Sequence, residues 1–201
     1  MTGNAKLALT AEAVATLRAQ GNQEYYHHIE TFRGKMLVAV AKRIMPRVLT
    51  ERLELSGAIQ DTIETYKPEQ ILELAGGASM YGVGWSVKNP EKVYVEVDLP
   101  HIVEWKREKV SEIKSKEGLP QTSNYHIETL DLIQADLLDK VGSYFDSSKK
   151  TLVIAEGLDM YFNSDQHDAF VGNLSRFLGI FDEVSFVTHD FNVDAPLNAS
   201  T

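Results

Sequence analysis

After Pro68, short apolar runs alternate with segments long enough to form helices, and this alternation constrains the fold more than any other feature. The apolar runs are Ile71–Ala75, Val93–Val97, Tyr125–Leu130, Thr151–Ala155 and Val184–Thr188. Parallel strands must be joined by crossover segments, which are usually helices, so the alternation predicts a parallel sheet with right-handed crossovers. The predicted crossover helices cover Val83–Lys88, Pro100–Glu117, Ile133–Phe145 and Ser164–Leu178.

The first third of the chain has helical spacing and no strand signal. We predict one helix after an N-cap at Thr10, a second from about Gln23 to Met45, and a third from about Thr50 to Tyr66. This pattern divides a single structural domain into a helical cap over residues 1–67, a sheet-containing core over 68–191 and a polar tail over 192–201.

Composition excludes several classes of protein. The 201 residues include 20 Lys and Arg against 29 Asp and Glu, a net charge of −9, which argues against binding nucleic acid through bulk charge. The chain has no cysteine, so disulfides, thiolate metal sites and cysteine nucleophiles are excluded. No apolar run approaches the ~18 residues that span a bilayer. We therefore expect a cytoplasmic protein that binds neither nucleic acid nor membranes.

The first predicted strand runs into a glycine-rich turn in the sequence ILELAGGASMYG. Glycine permits positive φ and close approach of the backbone to a ligand, and the N-terminus of the next helix offers free N–H groups. Gly76 and Gly77 are therefore candidate ligand contacts. The spacing departs from the dinucleotide-binding pattern G-x-G-x-x-G because position 79 is serine. Glu73 lies near the carboxyl end of the same strand and is a further candidate for binding the ligand.

Acidic residues follow the next three strands. Asp98 comes 21 residues after Gly77, the spacing of a carboxylate that binds a ribose diol, and Glu96 is its competitor on the same face. After the third strand, Asp131 is a candidate for an adenine amino group, with Asp136 as the alternative; Leu132 would cover the ring. Glu156 ends the fourth strand beside a glycine, and a carboxylate buried there needs a cation or several donors.

Four of these segments together resemble the leucine carboxyl methyltransferase family, whose relatives include O-methyltransferases of polyketide biosynthesis. The segments are ILELAGGASMYG, VYVEVDLPHIVEWKREK, YHIETLDL and TLVIAEGLDMYF. The resemblance covers roughly Arg52 to Phe162. It implies a Rossmann-like class I methyltransferase sheet with strand order 3-2-1-4-5, with the last hairpin of that fold missing here.

The resemblance also implies S-adenosylmethionine as the cofactor and assigns roles to residues. Ala75, Gly76 and Gly77 would pass under its methionine part and ribose, Asp98 would bind the ribose hydroxyls, Asp131 and Leu132 would hold the adenine, and Glu156 would face the amino group. Arg52 matches the family's basic residue that grips the cofactor carboxylate, and Lys6 is a weaker second match. Without the family, Asp131 is equally consistent with a helix cap and Glu156 with a loop carboxylate, and Asp98 could merely cap the helix that begins at Leu99-Pro100.

The implied reaction is in-line methyl transfer to the hydroxyl or carboxylate of a small-molecule acceptor. A hydroxyl needs a base, and His101, His126, His167 and His189 are the histidines considered; His189, directly after the fifth strand, is the preferred candidate. Tyr161 is a candidate for lining the acceptor pocket. The fifth strand would form an open sheet edge, so we expect a homodimer through that edge or a cover from the N-terminal helices.

Two alternatives remain: a methyltransferase-like protein that binds without catalysis, and a nicotinamide-dependent oxidoreductase.

We expect no metal site, because adjacent histidines such as His27 and His28 point about 100° apart on an α-helix.

Overall fold

The computed structural model describes residues 9–188, except for the side chains of a few residues in the first and third helices. Five strands and seven α-helices form in the described range. The strands are β1 (Gln70–Leu74), β2 (Val93–Asp98), β3 (Tyr125–Thr129), β4 (Thr151–Ala155) and β5 (Val184–Thr188). The helices are α1 (Leu9–Gln20), α2 (Phe32–Ile44), α3 (Pro46–Tyr66), α4 (Tyr81–Lys88), α5 (Pro100–Glu117), α6 (Leu137–Val141) and α7 (Ser164–Leu178).

All strand pairs are parallel, and the sheet order is β3-β2-β1-β4-β5, which confirms the predicted fold and strand order. The register aligns Leu74 with Val97 on one side and with Ala155 on the other, so the carboxyl ends of the three central strands meet at one edge of the sheet. Every residue of β1 and β4 is buried, as expected for a parallel sheet covered on both faces.

The two faces of the sheet are covered by different helices. One face, which includes Leu72 and Val153, packs against α6 and α7. The other face, which includes Ile71 and Ile154, packs against α3 and α4. Full burial of each such aliphatic side chain contributes about 1.5–3 kcal/mol, so this double packing fixes the sheet and holds the strand ends in place.

The second of the N-terminal helices is shorter than predicted. The predicted helix from Gln23 to Met45 is wrong over its first third, where the chain forms a 3₁₀ turn (Tyr26–His28) and α2 begins only at Phe32. Asn22 and Tyr25 adopt positive φ of 56° and 66°, which interrupts the helix. The side chain of Thr31 then accepts a hydrogen bond from the Gly34 N–H and caps α2.

Two other predicted boundaries also change. Helix α3 begins at Pro46 rather than near Thr50, because proline is well suited to the first position of a helix. The predicted helix from Ile133 to Phe145 shortens to α6 and a 3₁₀ turn, because Asp136 caps α6 by accepting from the Asp139 N–H. Within residues 9–188, no helix combines the length and the apolar character needed to cross a bilayer.

Candidate functional site

A cavity of about 630 Å³ lies over the carboxyl ends of the strands. It lies where the strand order reverses: the chain passes from β1 to β2 on one side of the sheet and from β4 to β5 on the other. In open parallel sheets this is the position where ligands bind, because successive crossovers leave it uncovered. Helix α1 forms one wall of the cavity through Val14 and Arg18. Leu158 and Phe162, which follow β4, also line the cavity.

The glycine-rich turn after β1 forms the cavity floor. Ala75 and Gly77 have φ of 51° and 52°, so two residues of the turn are left-handed, and at Ala75 this conformation costs about 1–2 kcal/mol. Asp98 holds the turn from β2: its carboxylate accepts from the Gly77 N–H at 2.8 Å and from the Leu99 N–H at 2.7 Å. Burial raises the pKa of Asp98, although these two N–H groups lower it in part.

A buried ionic network lies beneath the same turn. Lys106 of α5 is fully buried; its Nζ atom is 2.7 Å from Glu96 Oε1 and also donates to the Ser79 carbonyl. Tyr125 donates to the second oxygen of Glu96 at 2.8 Å. The neighbouring carboxylate of Glu73, which lines the cavity, accepts from Tyr94 at 2.7 Å. Glu96, the rival of Asp98 in the sequence, is therefore bound to Lys106 below the turn.

Burial is the main reason why the pKa of Glu96 is raised to about 7. The Lys106 ammonium opposes this rise, and the nearby carboxylate of Glu73 adds to it. No side chain fits between the turn and this network, because a Cβ on Gly76 would lie 2.6 Å from Glu96 Oε1. The glycine at position 76 is thus required by the buried ion pair as well as by any ligand above it.

The two acidic residues considered after β3 have separate surroundings. Asp131 and Leu132 line the cavity, and the Asp131 carboxylate accepts from the Ile133 N–H at 3.0 Å. Asp136 caps α6 and pairs with Arg176 at 2.7 Å, and it does not line the cavity. The structure therefore places Asp131, rather than Asp136, where a ligand can reach it.

Glu156, directly after β4, pairs with Arg18 of α1 across the cavity wall. Arg18 is 4% exposed, and its other terminal nitrogen donates to the Tyr26 hydroxyl at 2.9 Å. The rings of Tyr26 and Tyr81 lie 5.3 and 5.2 Å from the guanidinium carbon. Burial disfavours the charged form of Arg18, but these rings and Glu156 outweigh it and raise the pKa, so Arg18 stays charged.

Sequence reasoning missed Arg18 and named Arg52 instead. The side chain of Arg52 lies outside the described residues, as does Lys6. A signal for Arg18 was present, because it follows Val14 by one turn of α1 and therefore puts a cation on an apolar helix face. That signal could not reveal Glu156, which is 138 residues away in sequence.

The structure describes only some of the candidate catalytic residues. His189 lies outside the described residues. Tyr161 lines the cavity with 63% of its surface exposed, so it belongs to the rim. His101 also lines the cavity. His126 instead stacks on Tyr144, and its pKa is lowered by burial, while His167 pairs with Asp159 at 3.2 Å.

Comparison with known proteins gives a family match and several similar folds. A family model described as leucine carboxyl methyltransferase matches residues 13–175, which is most of the chain. No curated protein matches the sequence. The structure of a DUF574 family protein from Streptomyces avermitilis has a TM-score of 0.56 and 17% identity, with 90% of this chain and 68% of that chain covered, and this likeness shows the fold.

Two further solved structures are more distant. PKMT2 from Rickettsia typhi in complex with AdoHcy has a TM-score of 0.38 and 13% identity, with 56% of this chain and 19% of that chain covered. An O-methyltransferase family protein from Burkholderia thailandensis has a TM-score of 0.43 and 13% identity, with 88% and 48% covered. This chain therefore spans about a fifth of the Rickettsia protein and about half of the Burkholderia protein.

Proposed function

The chain belongs to the leucine carboxyl methyltransferase family, and on that premise we propose that it binds S-adenosylmethionine and transfers the methyl group to an oxygen of a small molecule. The observation that carries this proposal is the ion pair between the buried Arg18 and the partly buried Glu156 in the wall of the cavity. The methionine part of the cofactor is a zwitterion, with one carboxylate and one ammonium group. Arg18 offers a guanidinium to the methionine carboxylate, and the adjacent Glu156 offers a carboxylate to the ammonium group.

Arg18 takes the role that the resemblance suggested for Arg52. Its planar guanidinium suits a carboxylate because two N–H groups can donate in parallel. Glu156 is 15% exposed in its side chain, so it can accept from an ammonium while remaining shielded from bulk water. The bound amino acid group would separate the two side chains and satisfy each of them.

The rest of the cavity suits the nucleoside. Asp98 reaches the floor of the cavity beside Gly77, and each of its oxygens keeps a further lone pair for a ribose hydroxyl. Asp131 likewise keeps acceptor capacity for an adenine amino group, and Leu132 supplies apolar surface next to it. The residues present therefore fit the cofactor in charge and in chemistry along the whole line of strand ends.

S-adenosylmethionine supplies a methyl group that its sulfonium already activates, so the protein mainly has to orient the acceptor and exclude water. The apolar ring of Phe162 lines the cavity and would exclude water there, with the largely exposed Met160 and Tyr161 at the rim. A carboxylate acceptor needs no base. For a hydroxyl acceptor, His101 is the histidine that borders the cavity among the described residues, and His189 stays the candidate from sequence.

Calorimetry with three ligands tests the proposal: S-adenosylmethionine, its demethylated product S-adenosylhomocysteine, and NAD. We expect one binding site for the first two and no heat with NAD. Binding of NAD alone would overturn the proposal in favour of an oxidoreductase.

Turnover is then measured as release of S-adenosylhomocysteine against a panel of small carboxylic acids and phenols. Turnover of any member supports the O-methyltransferase. Tight binding of both nucleosides without turnover across the panel would contradict catalysis and favour a protein that binds the cofactor only.

A further inference from the structure

Two histidines of the N-terminal region converge on one carboxylate of the core, away from the cavity. His28 Nε2 lies 2.5 Å from Glu117 Oε1, and His27 Nε2 lies 3.7 Å from the same oxygen. Each of the three residues offers a ligand atom, and these atoms lie within 4.8 Å of one another. Two imidazoles and a carboxylate are one of the ligand sets found in three-residue zinc sites.

The expectation that adjacent histidines diverge on a helix does not hold here: the two histidines end a single 3₁₀ turn, after which the chain leaves the helical conformation at Ile29. The two imidazole rings lie on the same side, with their centroids 3.9 Å apart. Tyr25 precedes the turn, and its left-handed backbone (φ 66°) redirects the chain. Glu117 is the last residue of α5, so the rings meet a helix C-terminus, where the helix dipole favours positive charge.

The distances suit a tetrahedral ion after a small adjustment. Zinc lies about 2.0–2.2 Å from imidazole nitrogen or carboxylate oxygen, so two ligand atoms at tetrahedral angles are about 3.4 Å apart. The separations of the two imidazole nitrogens from Glu117 Oε1, 2.5 and 3.7 Å, fall on either side of this value. Because all three ligand atoms lie within 4.8 Å of one another, side-chain adjustments on the order of 1 Å would complete the geometry. His27 and Glu117 are exposed enough to make such changes, and water has access to the fourth position.

We propose that His27, His28 and Glu117 form a binding site for a divalent zinc-type cation that fastens the N-terminal 3₁₀ turn to the end of α5. Imidazole ligands select zinc over the hard cations Mg²⁺ and Ca²⁺, which require oxygen. The site is also connected to the cavity. Tyr26, in the same turn, accepts from Arg18 and from the Met80 N–H, so an ion that fixes the turn also fixes the residue that supports Arg18.

Zinc titration of the full chain at pH 7.5, followed by calorimetry and by thermal unfolding, tests the proposal. We expect one zinc ion per chain and a melting temperature that rises with zinc concentration, because the ion binds only the assembled site. Magnesium at the same concentration should give neither effect. Neither measurement depends on the activity of the protein, so the result is independent of the proposed methyl transfer.

Two variants and one control assign the binding to these residues. His27→Gln and Glu117→Gln should each weaken zinc binding at least about tenfold, since loss of a group that merely orients a ligand already costs that much. His167→Gln is the control, because His167 also contacts carboxylates, Asp159 and Asp168, but without a second imidazole. Absence of zinc binding by the wild type, or equal binding by all three variants, would overturn the proposal.

Discussion

The guanidinium of Arg18, in the first helix, donates to the carboxylate of Glu156, at the end of the fourth strand. The two residues are 138 positions apart in sequence, and both line the cavity. This contact ties the N-terminal helices to the site and gives the cavity a pair of opposite charges. The first prediction therefore concerns whether Arg18 binds the ligand.

Arg18→Lys keeps the positive charge but loses the planar group that contacts Glu156 and Tyr26 together. We expect the affinity for S-adenosylhomocysteine, measured by calorimetry, to fall at least about tenfold because lysine cannot make the two-pronged contact. Arg33→Lys is the matched control, since the Arg33 side chain is 57% exposed and is not part of the cavity. Equal affinities for the two variants would remove Arg18 from the ligand site.

Gly76→Ala places a methyl group against the buried Glu96 carboxylate. We expect the free energy of unfolding to fall by about 1–3 kcal/mol, the usual cost of overpacking, and ligand binding to weaken because the turn must move. Gly172→Ala, in α7, is the control: a Cβ there meets nothing within 4 Å, so the change should stabilise by up to about 1 kcal/mol. Urea denaturation measures both, and an unchanged Gly76→Ala stability would contradict the tight packing.

Comparing Asp131→Asn with Asp136→Asn tests which of the two carboxylates binds the ligand and which only caps a helix. We expect Asp131→Asn to weaken binding of S-adenosylhomocysteine by about tenfold, the effect of losing one charge-assisted hydrogen bond. Asp136→Asn should leave binding unchanged, because Asp136 caps α6 and pairs with Arg176. Calorimetry on the two variants decides; a loss of affinity in Asp136→Asn alone would reverse the assignment.

The buried Glu96 predicts a dependence of stability on pH. Its pKa is about 7 in the folded protein against 4.5 for an ordinary glutamate, so between these values the folded protein binds more protons than the unfolded chain. The contribution of Glu96 to the free energy of unfolding is therefore full below about pH 4.5 and declines as the pH rises to 7, by at most about 1.4 kcal/mol per pH unit.

The groups that face Glu96 are Lys106, Glu73 and Tyr125. Glu96→Gln should flatten this decline in urea denaturation measured from pH 4.5 to 8, because glutamine does not titrate. Glu112→Gln, on the surface of α5, should leave the slope as in the wild type. A steeper decline in Glu96→Gln would show that another group dominates the titration.

The outer edge of β5 leads to a proposal about assembly. Within the described residues β5 pairs only with β4, and all five of its residues are partly exposed. Unpaired strand edges favour addition of another strand, so we propose that two chains associate through β5. Size-exclusion chromatography with light scattering should show a dimer that dissociates on dilution; a monomer at all concentrations would contradict the proposal.

Local patterns were enough to predict most of the fold. Apolar runs and their spacing gave the strands and the parallel sheet, with boundaries within one residue at each strand, because strand burial in such a sheet depends on continuous apolar stretches. Prediction was wrong between Gln23 and Thr31, where helical residues form a 3₁₀ turn. The positive φ of Tyr25 has no signal in its residue type, since aromatic residues seldom adopt it.

What the sequence alone determined is the order of the elements and the acidic residues at or just after the ends of the second, third and fourth strands, because both depend on neighbours in the chain. Tertiary structure decided which distant residues meet: Arg18 with Glu156, Glu96 with Lys106, and His27 and His28 with Glu117. These contacts depend on how the N-terminal helices and α5 pack on the sheet. Packing of that kind sums many weak apolar contacts over the whole molecule, and no short stretch of sequence records it.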